Sequence, residues 1–308
     1  MKVVIGTLAV IVAALLGILV ASCRAGRGAE SAGPVPTAAP GGDVAGTSAG
    51  TTSIVDQGGS STSSGTATRI SYEVWFTRGE SLFVARRDQP ATPRIGTAAM
   101  ESLLAGPTPR EQAAAVGSQI PAGTQFLGLT VADGIATVDL TSEFESGGGS
   151  ASMNMRIAQV VYTLTQFPTV KGVLFELDGQ RVDVLGGEGV IVDQPVTRKD
   201  YRDLVPAILV VTPQIGSRVA NPVLVEGTAN VFEANVSVEV VDENGNVVGK
   251  TFTTATCGTG CRGTFSVRVP YEITSATRGL IIVHDDDAAG TGTPPHEVRI
   301  PVVLTPSP

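Results

Sequence analysis

The chain has 308 residues, and its 29 acidic and 21 basic side chains give it a formal net charge of −8. Because no run of Lys or Arg provides the positive surface that neutralises phosphates, the sequence disfavours a nucleic-acid partner. The acidity, with a pI near 4.9, also disfavours electrostatic docking on an anionic membrane. The length and a hydrophobic content of 42% allow two ordinary domains.

The first segment of the chain has the pattern of a bacterial lipoprotein signal peptide. Lys2 precedes an uncharged apolar run over residues 3–20, and small residues lead into Cys23 in the lipobox Val-Ala-Ser-Cys. A charged start, an apolar core and a small-residue cleavage site define an export signal. We therefore predict a signal peptide over 1–23 and a lipid on Cys23 that anchors the chain to the outer face of the cytoplasmic membrane. The alternative is an uncleaved transmembrane anchor, because a run of this length can just span a bilayer.

Residues 24–68 are dominated by Ala, Gly, Ser, Thr and Pro and show no periodic apolar pattern. Such a composition cannot bury enough apolar surface to fold, so it predicts a disordered linker. A Gly-x-Ser-x-Gly pattern at 46–50 falls within this linker. Serine hydrolases require that pattern on a turn between a strand and a helix, so we interpret the match as chance.

Residues 69–190 predict an α+β domain, with a small, mostly antiparallel sheet and helices on one face. Apolar, β-prone runs at 72–76 and 82–86 predict one hairpin. Asp-Gly pairs at 133–134 and 178–179 lie between further β-prone runs and predict two more. Asp-Gly is a strong hairpin signal because it readily adopts the positive φ values of a tight turn.

Three helices are expected in the same domain. An apolar face over 95–103 predicts the first helix. Thr108 and Glu111 have the spacing of a capping box, which predicts a shorter second helix that ends at Gly117. A longer apolar stripe over 157–167 predicts the third.

After a predicted interdomain linker at 191–205, the helical period disappears, and residues 206–305 alternate between short β-prone runs and turns. Seven such runs within about 100 residues predict an all-β immunoglobulin-like sandwich. The runs span residues 207–212, 223–227, 236–241, 247–253, 263–269, 280–284 and 297–304.

Two of the three cysteines remain once Cys23 is assigned to the lipid, and these are Cys257 and Cys261. In an oxidising, exported compartment such a pair predicts a disulfide, which the intervening Gly-Thr-Gly is flexible enough to close. The alternative is a redox-active or metal-binding pair. No further cysteine and no nearby histidine is available in sequence to complete a zinc site.

The densest group of metal-ligand types is the run Asp285, Asp286 and Asp287. Carboxylates and backbone carbonyls bind Ca²⁺, which makes these residues weak calcium candidates. The alternative is a solvated turn after a strand. The chain has only two histidines, which disfavours both a catalytic triad centred on histidine and a zinc site that activates water. We therefore predict no catalytic residues, no cofactor and no enzymatic activity.

The first domain contains three further motifs, which are Leu-Leu-Ala-Gly-Pro at 103–107, Ile-Pro-Ala-Gly-Thr at 120–124 and Asp-Gly-Ile-Ala-Thr-Val-Asp-Leu at 133–140. With these motifs, residues 70–185 resemble the GerMN domain of sporulation and spore germination. The second domain contains the specific string Gly-Thr-Ala-Asn-Val-Phe-Glu-Ala-Asn at 227–235. With this string, residues 206–304 resemble Gmad2, the immunoglobulin-like domain of bacterial spore germination.

The resemblance implies an accessory protein of the cell envelope. GerMN proteins are linked to germination and to assembly of a ring-shaped channel between two membranes, and the domain is similar to ring-building motifs that associate side by side. Neither family has an accepted set of catalytic residues. The function that follows is a scaffold that binds envelope proteins and self-associates through its GerMN-like domain.

The alternative function is a module that binds peptidoglycan or a muropeptide, through the acidic hairpin tips and Trp75 as a sugar platform. Trp75 alternates with Val74 and Phe76 on a predicted strand, which favours a place in the core instead.

Overall fold

The computed structural model describes residues 68–285 and 296–307, which form two domains. These residues contain seventeen strands, three α-helices and three short 3-10 helices. Within this described part, none of the helices has the length and apolar character needed to cross a membrane. The predicted signal peptide, Cys23 and nearly all of the predicted N-terminal linker lie outside the described residues.

The first domain is built from two small sheets, a short ribbon and three helices. Its strands are β1 (Arg69–Arg78), β2 (Ser81–Pro90), β3 (Val116–Gly117), β4 (Phe126–Ala132), β5 (Ile135–Leu140), β6 (Gly172–Leu177), β7 (Gln180–Arg181), β8 (Val184–Leu185) and β9 (Val190–Ile191). Its helices are α1 (Ile95–Leu104), α2 (Pro109–Ala113) and α3 (Ser150–Leu164), with a 3-10 helix at Ser142–Glu145.

The strand orders are β2-β1-β3 in one sheet and β4-β5-β6-β7 in the other, while β8 pairs with β9. All of these pairs are antiparallel except β5 with β6. Parallel strands need a long crossover connection, and α3 lies within the segment that joins β5 to β6. The predicted α+β class, with a mostly antiparallel sheet, is therefore confirmed.

Both Asp-Gly pairs form the predicted hairpin turns. Asp133 and Gly134 have φ values of +53° and +83°, and Asp178 and Gly179 have values of +50° and +75°. Positive φ at both central residues is typical of the type I′ turn, whose twist matches that of the flanking strands. Local turn chemistry thus determines where both hairpins reverse.

The predicted capping box is present, but its helix is shorter than expected. The Thr108 hydroxyl accepts from the Glu111 backbone N–H, and the Glu111 carboxylate accepts from the Thr108 backbone N–H at 2.7 Å. Helix α2 ends at Ala113, and Ala115 adopts a φ of +61°. Val116 and Gly117 then form β3, because they pair with β1 and do not continue the helix.

The core of the first domain lies under α3. The predicted apolar stripe is confirmed, since Ile157, Val160, Val161 and Leu164 are fully buried. The helix ends at Leu164, and Phe167 packs on the core from beyond it. Phe144 and Phe175 stack in the same core, with ring centroids 5.8 Å apart.

A row of polar side chains on α3 and just after its end closes one edge of β1. Gln159 Nε2 donates to the Trp75 carbonyl at 3.1 Å, and Thr163 Oγ1 accepts from the Trp75 backbone N–H at 3.0 Å. The Gln166 amide group bonds both the N–H and the carbonyl of Glu73, each at 2.6 Å. These side chains replace the neighbouring strand that β1 lacks at this point, so the strand edge is not left open.

The second domain is a sandwich of a three-stranded sheet, β10-β12-β15, and a five-stranded sheet, β11-β17-β16-β13-β14. Its strands are β10 (Ile208–Thr212), β11 (Arg218–Val219), β12 (Val223–Ala229), β13 (Asn235–Asp242), β14 (Val247–Thr254), β15 (Gly263–Val269), β16 (Thr277–His284) and β17 (Glu297–Leu304). Short 3-10 helices lie at Arg198–Leu204, before β10, and at Phe232–Ala234.

The predicted all-β sandwich is confirmed, and each of the seven predicted runs coincides with all or part of a strand. Residues of β12 alternate between buried and partly exposed positions, as expected where one face of a sheet meets the core. The eighth strand, β11, has only two residues and pairs in parallel with β17. So short a segment carries no alternation from which it could be predicted.

Hydrogen bonds cross the boundary between the two domains. Arg78 Nη1 donates to the Arg299 carbonyl at 2.8 Å, and the Arg86 backbone N–H donates to Gln214 Oε1 at 2.9 Å. Strand β2 lies against β10 at this boundary. The two domains therefore pack directly on one another within one compact unit.

Candidate functional site

Cys257 and Cys261 form a disulfide in the loop between β14 and β15. The Gly-x-Gly-x-x-Gly pattern at 258–263 thus lies between two strands. A dinucleotide site would need a helix after it, so the pattern belongs to the disulfide turn. Cys23, the predicted lipidation site, lies outside the described residues.

The disulfide loop is hydrogen bonded to the loop that carries the most specific motif of the second domain. The Thr259 N–H donates to the Val231 carbonyl at 2.9 Å, and the Gly260 N–H donates to Asn230 Oδ1 at 3.0 Å. In return, the Glu233 N–H donates to Thr259 Oγ1 at 3.1 Å. The covalent loop therefore supports the backbone of residues 230–234.

That supported loop has an unusual backbone conformation. Glu233 and Ala234 have φ values of +52° and +59°, a region that residues other than glycine seldom adopt. Such conformations persist only where the surrounding structure holds them. The side chain of Phe232, beside them, is 53% exposed.

Of the three calcium candidates, only Asp285 lies within the described residues. Its carboxylate faces His296, whose Nδ1 lies 2.9 Å from Asp285 Oδ2 and whose backbone N–H donates to Asp285 Oδ1. Within the described ranges no group of three or more acidic, histidine or cysteine residues could hold a metal ion. Asp286 and Asp287 lie outside those ranges, so the calcium site stays a prediction.

A cleft of about 750 Å³ lies at the domain boundary. Its walls are formed by residues from both domains and from residues 198–206 between them, the connecting segment. The polar and aromatic side chains that line it are Glu73, Trp75, Tyr162, Arg198, Arg202, Asp203, Thr228, Asn230 and Arg262.

Arg198 holds the start of the connecting segment against α3. Its Nε donates to Thr165 Oγ1 at 2.9 Å, and its Nη2 donates to the Tyr162 carbonyl at 2.8 Å. The guanidinium carbon lies 4.8 Å from the centroid of the Tyr162 ring and 5.4 Å from that of Trp75. Contacts of a cation with aromatic faces stabilise the charge where water is scarce.

Arg262 holds the other end of the connecting segment. Its Nη2 donates to the Pro206 carbonyl at 2.7 Å and to that of Val205 at 3.4 Å. Its Nη1 donates to Thr228 Oγ1 at 3.2 Å. All of these acceptors are uncharged, so the contacts order the guanidinium without neutralising it.

The electrostatics of the cleft reflect this arrangement. Burial lowers the pKa of Arg198, and the negative charge of Glu73 and the Tyr162 phenol oppose this shift. Burial also lowers the pKa of Arg262 and raises the pKa of the Tyr162 phenol. Arginine stays protonated in proteins, so the cleft contains two partly desolvated positive charges.

Trp75 occupies the core position that its sequence context favours. Its side chain is 3% exposed, and its ring centroid lies 4.7 Å from that of Tyr162. Its Nε1 donates to Glu73 Oε2 at 3.2 Å. A ring buried this deeply cannot serve as an open platform for a sugar.

Comparison with protein families covers both domains. A model for the Germane family, described as sporulation and spore germination, matches residues 60–183. A model for Gmad2, the immunoglobulin-like domain of bacterial spore germination, matches residues 207–291. The chain therefore contains a GerMN domain followed by a Gmad2 domain. The resemblance seen in the sequence is therefore confirmed, and both families are of the sporulation and germination type.

Solved structures similar to the chain include the tandem GerMN domains of the sporulation protein GerM from Bacillus subtilis. That match has 14% sequence identity and a TM-score of 0.39, and it covers 78% of this chain but only 62% of GerM. The first GerMN domain of the same protein matches with 20% identity and a TM-score of 0.36, over 42% of this chain and 99% of that one. No curated protein matches the chain.

The cleft between the GerMN and Gmad2 domains was not predicted from the sequence. Arg198 lies in the segment predicted as a linker, and Arg262 lies beside the second cysteine of the predicted disulfide. Arg198 begins a run of mixed charge at 198–203, and Arg262 has no charged residue next to it, so neither pattern marks an anion site. The site forms only because the fold brings these segments together over Trp75 and Tyr162.

Proposed function

We propose that this GerMN–Gmad2 chain is a non-enzymatic scaffold of the cell envelope. In this proposal the lipid on Cys23 anchors it to the outer face of the cytoplasmic membrane, and its two domains bind envelope proteins, including a second copy of itself. Family membership supports the envelope setting, since both families belong to sporulation and germination.

The observation that carries the scaffold proposal is the fixed connection between the domains. The segment Arg198–Leu204 is a 3-10 helix whose start is capped by Asp200, which accepts from the Thr197 N–H at 2.8 Å. Tyr201 is buried against the first domain, and burial raises the pKa of its phenol to about 12. With Arg198 and Arg262 at its two ends, the segment holds one domain at a set position on the other.

The outer edge of the β4-β5-β6-β7 sheet supports the self-association part of the proposal. Strand β4 is at the end of this sheet and has one neighbouring strand, β5, among the described residues. Leu127 and Val131 on β4 are 48% and 47% exposed. A strand edge with exposed apolar side chains is a common site of strand addition by a partner.

Photo-cross-linking in cells tests this proposal on the full chain. A photoreactive residue at Thr130 on β4 is expected to capture a second copy or another envelope protein, and the same residue at the exposed Lys199 is the control. The double change Leu127→Lys and Val131→Lys should reduce the adducts, because charge on an edge opposes strand addition. Equal adducts from Thr130 and Lys199 would reject β4 as the binding edge.

The anchor has a separate test. Cys23→Ala is expected to release the protein from the membrane fraction or to leave it unprocessed, with Ser31→Ala in the predicted linker as the control. Unchanged processing and membrane retention of Cys23→Ala would reject the lipid anchor.

The alternative, a peptidoglycan- or muropeptide-binding module, has lost its proposed platform because Trp75 is buried. Sedimentation with isolated peptidoglycan separates the two functions. A protein scaffold stays in the supernatant, and a wall-binding module sediments with the glycan.

A further inference from the structure

We infer that the cleft between the two domains binds an oxyanion, a phosphate or carboxylate group, between Arg198 and Arg262. This binding site goes beyond the scaffold role, and it gives Arg198 and Arg262 a second role besides holding the connection between the domains.

Arginines are concentrated at this boundary in an acidic protein. The cleft shares Glu73 and Arg198 with a neighbouring cleft of about 430 Å³, which in turn shares Arg86 with a third of about 360 Å³. Two carboxylates, those of Glu73 and Asp203, line these three clefts. Six arginines line them: Arg86, Arg198, Arg202, Arg218, Arg262 and Arg268.

The two central guanidinium groups form no ion pair within the described residues, although the negative charge of Glu73 acts on Arg198. In the described part of the chain, neither Arg198 nor Arg262 forms an ion pair with a carboxylate. Arg202, by contrast, lies 3.8 Å from Asp203. A charge that is partly removed from water without a counter-charge carries part of its desolvation cost, and this applies to the half-buried Arg198 more than to the more exposed Arg262. An oxyanion in the cleft would supply that counter-charge.

The geometry of the two arginines fits such a ligand. Arg198 is held by Thr165, Tyr162 and Trp75, and its Nη1 has no hydrogen-bond acceptor among the residues that the structure describes. A guanidinium fixed in this way loses little further freedom on binding, and its planar fork matches carboxylate and phosphate oxygens. The cleft also has the volume of an ordinary small-ligand site.

Calorimetric titration of the full chain at low ionic strength tests the inference. The probes are inorganic phosphate, N-acetyl-dialanine with a free carboxylate, and the amide of the same dipeptide. Binding of phosphate alone identifies a phosphate ligand, and binding of the free acid but not the amide identifies a carboxylate ligand. Failure of both phosphate and the free acid to bind would overturn the inference.

Variants locate the binding. Arg198→Gln and Arg262→Gln are each expected to weaken it about tenfold, the usual effect of losing one charge-assisted hydrogen bond, while Arg278→Gln on the exposed face of β16 is the control. Glu73→Gln should tighten binding, because it removes the carboxylate that opposes an anion. Tighter binding cannot result from misfolding. Affinity unchanged in both arginine variants, or weakened in Glu73→Gln, contradicts the site.

Discussion

The hydroxyl of Thr163 accepts a hydrogen bond from the backbone N–H of Trp75 at 3.0 Å, where a neighbouring strand would otherwise bond. Both residues are buried, and Thr163 is fully so. With Gln159, this contact explains why α3, a helix packed on the core, has polar residues on the face toward β1, and Gln166 continues the row just past the end of the helix. Gln159 and Thr163 satisfy the buried main-chain groups of Trp75, and Gln166 satisfies those of the partly buried Glu73.

Thr163→Val is therefore expected to destabilise the protein by about 1–3 kcal/mol, because the Trp75 N–H stays buried without an acceptor. Valine has nearly the shape of threonine, so packing changes little. Urea unfolding of the full chain measures the effect. Thr130→Val on the exposed part of β4 is the matched control, and a loss of the same size there would contradict the explanation.

Glu111 is expected to make stability depend on pH at the acidic end. Burial by itself would raise the pKa of its carboxyl, but hydrogen bonds from Arg87 at 2.7 and 2.8 Å and from Thr108 outweigh burial, so the pKa is lowered. A carboxyl with a lowered pKa in the folded state contributes stability above its unfolded pKa, near 4.5, and the contribution is lost as pH falls through the folded value.

Glu111→Gln should thus lower stability at neutral pH and flatten its decline below about pH 4.5. Denaturant unfolding at several pH values measures both effects. Glu80→Gln, at the exposed turn between β1 and β2, is the control and should leave the pH profile unchanged. An unaltered acid slope in Glu111→Gln would show that this carboxyl is not responsible.

Removal of the disulfide should have a small global and a larger local effect. So short a covalent loop contributes only about 2 kcal/mol, so Cys257→Ser with Cys261→Ser is expected to stay folded. Hydrogen exchange at the amides of Thr259, Gly260 and Glu233 should rise, because their bonds to the neighbouring loop depend on the constrained turn. Amides of β16, remote from the loop in sequence, provide the internal control.

If the variant and the intact protein exchange equally fast at the amides of Thr259, Gly260 and Glu233, the conformation of the 230–234 loop would not depend on the disulfide. The disulfide would then have no local structural role.

Gly227, the first residue of the Gmad2 motif, is expected to tolerate no side chain. A Cβ at this position would lie 2.1 Å from the Leu209 carbonyl oxygen of β10 and 2.8 Å from the Phe265 ring. Gly227→Ala should destabilise the protein by about 3 kcal/mol or more, because the Leu209 backbone can make room for a methyl group only if β10 moves away from β12. Thermal unfolding measures the loss. Gly187→Ala, with open space around it, should be close to neutral, and equal effects of the two changes would refute the steric argument.

Features with local causes were predictable from the sequence, and features with distant causes were not. The Asp-Gly turns, the capping box of Thr108 and Glu111, and the apolar stripe of α3 each depend on residues within a few positions, so their patterns predict them. The end of α2 was misplaced because pairing of β3 with β1 decides it. Competition from a distant strand leaves no local signal.

The cleft residues show the same division more strongly. Arg198 and Arg262 are 64 positions apart in the chain, and their shared cleft depends on how two domains pack. The sequence has no run of basic residues, and this is correct for the order of charges along the chain. That linear pattern could not reveal that the fold brings six arginines from separate parts of the chain to one domain boundary.

The closed edge of β1 also limits how copies of the protein could assemble. Side chains of α3 occupy that edge, and β2 lies against β10 of the Gmad2 domain, so β4 is the long open edge of the GerMN domain within the described residues. A contact between two identical edges is isologous and is complete once two copies have joined. Strand pairing through β4 would therefore produce twofold dimers, and a closed ring of more copies would require a second, different surface on each subunit.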